Sequence, residues 1–395
     1  MKATVERKEF LVLLDKLLLV VPARTVVPIC TCVVLKAQKD RIVGVANNLE
    51  VAVSATCPAT ILATGEVCVE ARTLANFVRG IKAKAMTLST SKKAPGLQVE
   101  ADNVSTSFDT QKVEDFPPVP EIPKGPILKV EGLAQALAKV EFAAATDNTR
   151  PVLNAVCLTP KKGGKVELVA ADGFRLNITT AKASGKFQGH VIPALIRSAS
   201  PSPNADGAFM PGQPEQIIPA TSTANVIIPL AAIRPLRRLF PIGEVSMSYH
   251  TRGTSEYLNL FTEGITMVIS CVVATFPNYQ ALIPKARSRL HVDSNALRNA
   301  ITTINALKPA NGIIRLQRGE GQLLVSANYS EGQECKIKIP VTKGTIKIAV
   351  NIKYLRDMLS VLKGEIVIET TSVSAPLKVT QQGLTQVIMP MFVQW

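Results

Sequence analysis

Aromatic side chains are scarce: Phe, Trp and Tyr supply 5% of the 395 residues, with a single Trp. The cores must therefore rest on Val, Ile, Leu and Ala. Histidine is scarcer, with only His190, His250 and His291, scattered and without a neighbouring acid and nucleophile; surface or turn positions are expected for them. The chain has no Gly-x-x-x-x-Gly-Lys-Ser/Thr phosphate cradle, no His-Glu-x-x-His helix and no Gly-x-Ser-x-Gly elbow. No catalytic residue is assigned. Asp172, in Asp172-Gly173-Phe174-Arg175, is the one acid worth weighing, and Asp-Gly is first of all a tight-turn pair.

Acidic residues also run short. Against 45 Lys and Arg stand 30 Asp and Glu, a formal net charge of +15. Such a balance favours a polyanionic partner, because a cation placed near a phosphate releases a condensed counterion. The seven cysteines (30, 32, 57, 68, 157, 271 and 335) are odd in number, and most sit in apolar β-like runs such as Val156-Cys157-Leu158. Buried, reduced thiols are expected. Cys30 and Cys32 would share one face of a strand, but no second pair at zinc spacing accompanies them, so no metal or cofactor is expected. Long apolar runs are missing too. The start, Met1 to Arg7, lacks a signal core, and Phe10 to Pro22 is interrupted by Asp15 and Lys16. A soluble, cytoplasmic chain with no membrane partner follows as the expectation.

What is present is core material and repetition. Hydrophobic residues make up 47% and charged ones 19%, the balance of a folded chain, and the length suits two or three domains. One plan occurs three times. It opens with an amphipathic helix: Lys8 to Leu18, Val130 to Val140, and Asp293 to Leu307, where Leu133, Leu137 and Val140 or Leu297, Ile301 and Ile304 keep helical spacing. Asp293 or Ser294 would cap the third. Next come two strands about a small polar turn: Val43 to Val53 across Asn47-Asn48, Leu168 to Ile178 across Asp172-Gly173, and Leu324 to Ile339 across Asn328 to Gly332. A second helix follows (Thr73 to Ile81, Ala231 to Phe240, Ile352 to Leu359), then further strands such as Glu365 to Glu369.

Pro-rich connectors, 115–123 and 275–284, separate the copies; both read Phe-Pro and later Ile-Pro, as suits extended linkers. The stretch from Ser198 to Ser222, rich in Pro, Ser, Ala and Gly, breaks the plan and reads as a surface insertion or a lid. The expected domains are 1–123, 124–285 (with the insertion at about 198–222) and 286–395.

Cations recur on the helices. Arg79, Lys82 and Lys84 lie on or just after the first copy's second helix. Arg234, Arg237 and Arg238 share one face of the second copy's, and Lys353, Arg356 and Lys363 belong to the third's. Lys8, Lys16, Lys139 and Arg298 lie on the opening helices. Singly these are solvated faces. Together they form a positive wall suited to a phosphate backbone rather than to a base sequence.

Four strings now carry a resemblance: Thr149-Arg150-Pro151-Val152-Leu153-Asn154; Ala171-Asp172-Gly173-Phe174-Arg175-Leu176; Phe276-Pro277-Asn278-Tyr279 with Ile283-Pro284; and Val387-Ile388-Met389-Pro390-Met391. In this order, on a threefold repeat, they resemble the β sliding clamps of bacterial DNA polymerase III. The resemblance implies an α+β fold of three repeated clamp domains, two chains closing head to tail into a six-domain ring with helices lining the hole and sheets outside. It implies a processivity factor that encircles duplex DNA without sequence preference and catalyses nothing. It further implies a pocket between domains two and three for short peptides of the polymerase and the clamp loader. Carried over position by position, the pocket comprises Leu153, Gly173, Phe174, Arg175, Leu176, Pro277, Leu282, Asn351, Tyr354, Val373, Val387, Met389, Pro390 and Met391. Arg24 matches a position that touches DNA, beside Arg79, Lys82, Lys139, Arg234, Arg237, Arg238, Arg298, Lys353 and Arg356 on the helices. Phe108 would meet Ala306 and Leu307 of a second chain. Phe174 stands where the family often has histidine, and Ala281 replaces a common arginine. A basic protein that coats DNA without encircling it, and a nucleotide-processing enzyme dependent on Asp172, are the other readings.

Overall fold

The computed structural model describes residues 1–90, 96–185, 225–309, 311–319, 321–330 and 333–395. The expected insertion and His190 lie outside the described residues. Six α-helices occur among those described: α1 (Arg7–Leu18), α2 (Ala71–Gly80), α3 (Leu133–Val140), α4 (Leu230–Leu239), α5 (Ser294–Ala306) and α6 (Ile352–Ser360). They pack in pairs, α1 on α2, α3 on α4 and α5 on α6. The reason is visible along each helix. In α1 the buried residues are Phe10, Leu13, Leu14 and Leu17, and in α5 Leu297, Ala300, Ile301 and Ile304, one apolar stripe each. None of these helices is long and apolar enough to cross a membrane.

Caps fix where the helices begin. Asp293 Oδ1 accepts from the amides of Asn295 (3.0 Å) and Ala296 (2.8 Å), as expected. Glu70 does the same for α2. In the second repeat the helix starts later than the spacing suggests. Gly132 takes φ 71°, a left-handed turn that breaks the helix, so Val130 and Glu131 belong to the strand Leu128–Glu131, which pairs with Glu244–Arg252. Three other expectations also change. Pro28 opens a 3-10 turn, Pro28–Thr31, that takes Cys30 off the strand on which Cys32 starts. Asn328 is in register within Gln322–Ser330, opposite Glu334, so the third hairpin turns later. His250 and His291 are strand residues, half-buried, and His250 stacks on Tyr257. Six of the seven cysteines are buried and Cys335 is half-buried, all as free thiols.

The hairpins join the repeats by main-chain pairing. Val51–Pro58 runs antiparallel to Ile265–Ser270 over five residue pairs, from Val51↔Ile269 to Ala55↔Ile265. Arg175–Gly185 pairs with Leu384–Ile388 over four, from Arg175↔Ile388 to Ile178↔Thr385. One ladder therefore runs through all three repeats, branching at Arg175–Gly185. Among the strands of the described residues that pair on one side only are two from the first and third repeats. Val104–Phe108 pairs only with Leu97–Ala101, and Gln333–Pro340 only with Gln322–Ser330. One buried apolar cluster runs through the first and second repeats, another fills the third, and a smaller one containing Leu153, Leu176, Phe276 and Val387 bridges the second and third.

Candidate functional site

Two regions gather the residues singled out by sequence. The first is a hollow of about 800 Å³ where α1 and α2 of the first repeat face α4 of the second; Lys16, Arg72, Arg79, Arg234 and Arg238 line it against a single carboxylate, Asp15. The helical periods that bury Leu13, Leu74 and Leu236 leave these cations on the opposite faces. Their availability differs. Arg79 is paired with Asp15, and Arg72 donates to the Val21 carbonyl at 2.9 Å. Arg234 and Arg238 are exposed, with no carboxylate partner among the described residues. Arg237, on the same helix, is taken by Glu141, whose carboxyl burial pushes up while Arg237 pulls it down.

Beyond the hollow, Arg24, Lys82, Lys353 and Arg356 are exposed and Lys139 is half-buried. Lys363 falls past the end of α6. Arg298 departs from its expected role. Its guanidinium donates to the carbonyls of Leu359 and Leu362 (2.9 Å), satisfying the last turn of α6 and its exit.

The second region lies where Arg175–Gly185 meets α6 and the chain end. Asp172 forms the turn: its Oδ1 accepts from the amides of Phe174 and Arg175, both at 2.9 Å. Gly173 takes φ 92°, which glycine tolerates. The turn thrusts Phe174 outward, 59% exposed, stacked on Tyr354 with ring centroids 6.4 Å apart. Arg175 is 8% exposed and tied by Nε to Asp172 Oδ2 (2.9 Å) and by Nη1 to Asp357 Oδ2 (2.7 Å). Its guanidinium carbon lies 4.6 Å from the Tyr354 ring centre. Burial, then the nearby Asp172, raises the Tyr354 phenol above its usual range.

The chain end is laid along this edge by three main-chain contacts. Met389 N donates to Phe174 O at 2.8 Å, Pro390 bridges Val350, and Met391 N donates to Ala349 O at 2.7 Å. Met389, Pro390 and Met391 are half-buried, while Leu153, Leu176 and Val387 lie in the cluster beneath. A hollow of about 230 Å³ opens beside Phe174, lined also by Leu153, Gly173, Asp147, Thr149 and Arg150.

Not every residue carried over is gathered here. Pro277 lines a separate hollow of about 460 Å³ with Phe276 and Tyr279, whose hydroxyl donates to Glu167 at 2.5 Å. Leu282, on a 3-10 turn, and Val373, between strands, are both exposed. Asn351 caps α6, its Oδ1 accepting from Lys353 N at 2.9 Å. Asp357 was missed, although it sits one turn beyond Tyr354 on α6, a spacing that puts both on one face. At the proposed seam, Ala306 and Leu307 are exposed at the end of α5. Phe108 is half-buried on the open-edged strand, packed edge-on against Phe77 at 5.3 Å.

Family models of the DNA polymerase III beta subunit match in three parts: the N-terminal domain over residues 1–120, the central domain over 127–196 and the C-terminal domain over 280–392. A beta sliding clamp of Pseudomonas putida is 27% identical, with 99% of this chain and all of that protein covered. One from Staphylococcus aureus is 22% identical over 99% of each. Among solved structures, the DNA polymerase III subunit beta of Pseudomonas aeruginosa superposes with a TM-score of 0.83 at 24% identity, and the Bacillus subtilis sliding clamp with 0.84 at 18%, each over 100% of both chains. The P. aeruginosa clamp has also been solved bound to griselimycin.

Proposed function

Since this chain belongs to the DNA polymerase III beta subunit family, and so is a sliding clamp and not an enzyme, we propose that it acts as a head-to-tail dimeric ring. Duplex DNA passes along its helices, and partner peptides dock where the second and third repeats meet. The observation that carries the first half is the cationic hollow, to which two successive repeats contribute helices. Cations such as Arg234 and Arg238, without a carboxylate partner among the described residues, attract phosphates of any sequence, so the chain holds duplex loosely and moves along it. Clamp domains of 1–123, 124–285 and 286–395 accord with the three-part repeat.

Ring closure is supported by an open strand edge in each terminal repeat, Val104–Phe108 in the first and Gln333–Pro340 in the third. A head-to-tail pair joins such edges twice and leaves neither exposed. Peptide docking is supported by the apolar, partly flexible surface of Phe174, Tyr354, Met389 and Met391, which the buried Arg175 braces from beneath. This is where the polymerase and the clamp loader would attach. A cytoplasmic site of action goes with this reading.

The test is topological. Loaded onto a closed circular duplex, the protein should remain through gel filtration and be released when one restriction cut makes the circle linear. Equal retention on both forms would favour a protein that coats DNA.

A further inference from the structure

The boundary between the first and second repeats is built like the one just described. Asn48 Oδ1 accepts from the amides of Glu50 (3.1 Å) and Val51 (2.8 Å), as Asp172 Oδ1 does from Phe174 and Arg175. Asn48 N donates to Val51 O at 3.1 Å, and Asp172 N to Arg175 O at 3.3 Å. Ser270 N donates to Glu50 O at 2.8 Å, matching Met389 N on Phe174 O. Both turns lead into the strand that crosses to the next repeat, Val51 facing Ile269 and Arg175 facing Ile388. In this register Leu49 stands for Gly173, Glu50 for Phe174 and Ser270 for Met389.

One exchange is costly. Gly173 has φ 92°, and Leu49, a branched residue with a Cβ, is held at φ 77°. That region is sterically unfavourable for leucine, and the fold gains little packing from it, since Leu49 is 58% exposed. Backbone strain at an exposed apolar residue points to a use for the side chain. Leu49 lines a hollow of about 250 Å³ with Pro117, Pro118, Tyr257 and Val268. Asn47 Nδ2 fixes the proline wall, donating to the carbonyls of Pro117 (3.3 Å) and Pro118 (3.2 Å). Glu50 is the one charged residue of the lining, and it is exposed with no cation partner among the described residues.

We propose that this hollow is a second peptide site. It takes a short extended segment in which one large apolar side chain, seated against Leu49 and the prolines, is followed or preceded by a lysine or arginine that meets Glu50. The peptide class rests on the reading given above for the second–third boundary. The place and the charge preference rest on Leu49 and Glu50.

The experiment uses the full chain with isotope-labelled leucine and valine methyls and two capped probes, acetyl-Gly-Arg-Leu-Trp-Gly-amide and its Glu-for-Arg counterpart. The arginine peptide should shift the methyls of Leu49, Val51 and Val268 and bind about threefold or more tightly than the acidic one, the worth of one exposed ion pair. Glu50→Gln should erase that preference. Leu49→Gly, which restores the sibling's glycine and relieves the backbone, should weaken the arginine peptide about tenfold while leaving the melting temperature unchanged or higher. The Val51 and Val268 shifts should persist when Met389→Glu and Met391→Glu disable the other boundary. No shifts at these three residues, equal affinity for the two probes, or unaltered binding by Leu49→Gly would each overturn the proposal. None of those results bears on the second–third boundary, which the methionine changes test separately.

Discussion

Arg175 and Asp357 meet at 2.7 Å across the boundary of the second and third repeats, a strand residue of one clasping a helix residue of the other. Asp172 also accepts from the Arg175 Nε, and Tyr354 lies against the guanidinium face, so the group is held from three sides. Asp357→Ala removes one charged hydrogen bond. Its side chain is 25% exposed, which moderates the loss, so a decrease in stability of about 1–2 kcal/mol is expected. Arg175→Met should cost more, because it leaves Asp172, its side chain only 11% exposed, without its cation. Urea unfolding of both variants measures this; wild-type midpoints would show that the clasp is energetically idle.

At the peptide surface, Met389→Glu with Met391→Glu should remove binding of partner peptides at the second–third boundary while the chain still dimerises. Tyr354→Ala should weaken binding by about tenfold, the worth of one aromatic contact face. Calorimetry with a polymerase-derived peptide reads both, and undiminished heats would move the site elsewhere.

On the helices, Arg234→Glu with Arg238→Glu should lower DNA affinity. It should also flatten the dependence of log affinity on log salt by roughly two, one counterion for each lost contact. Arg237→Gln should matter less, since Glu141 already occupies that guanidinium. Equal effects from the paired and unpaired arginines would mean that the hollow is not where phosphate sits.

For the seam, Leu307→Asp places a charge on an exposed apolar position at the end of α5. A monomer by sedimentation, with unchanged circular dichroism, is the expected outcome. A dimer of undiminished affinity would locate the contact elsewhere. Phe108 is a poorer probe, because its ring also packs on Phe77.

Thiol chemistry offers a check on the cores. Burial pushes the Cys57 thiol up to about 12 and that of Cys157 to about 11, and raises Cys271 as well. At pH 8 these stay protonated and covered, so a maleimide should label half-buried Cys335 first and the buried thiols only on unfolding. Several thiols reacting at once in the native chain would mean looser cores than described.

The repeated plan was legible because each helix must bury one stripe, and the spacing of Leu133, Leu137 and Val140 records that demand directly. The hairpin turns were legible for a similar reason, since Asn48 and Asp172 are residues that accept from the amides two and three positions on. Side-chain destinations were less so. Arg298 and Arg234 are both helical arginines in the sequence, yet one is consumed by the carbonyls at the end of α6 and the other has no carboxylate partner among the described residues. Only the packing of a second helix sixty residues away decides between them. Asp357 was hidden likewise: its partner, Arg175, is distant in sequence, and no local period announces a pairing across domains. Leu49 had no signal beyond its place in a turn, because a backbone angle leaves no mark in composition.

The strand ladders that sew the repeats together set what this polypeptide can do mechanically. Parting Val51–Pro58 from Ile265–Ser270, or Arg175–Gly185 from Leu384–Ile388, would strip a row of amides and carbonyls of their partners at once. The joining of the repeats is thus decided during folding and resists later adjustment. In the proposed ring, compliance to admit a circle of duplex has to come from the junctions between polypeptides, so a partner that prises such a ring apart needs leverage there and only anchorage elsewhere.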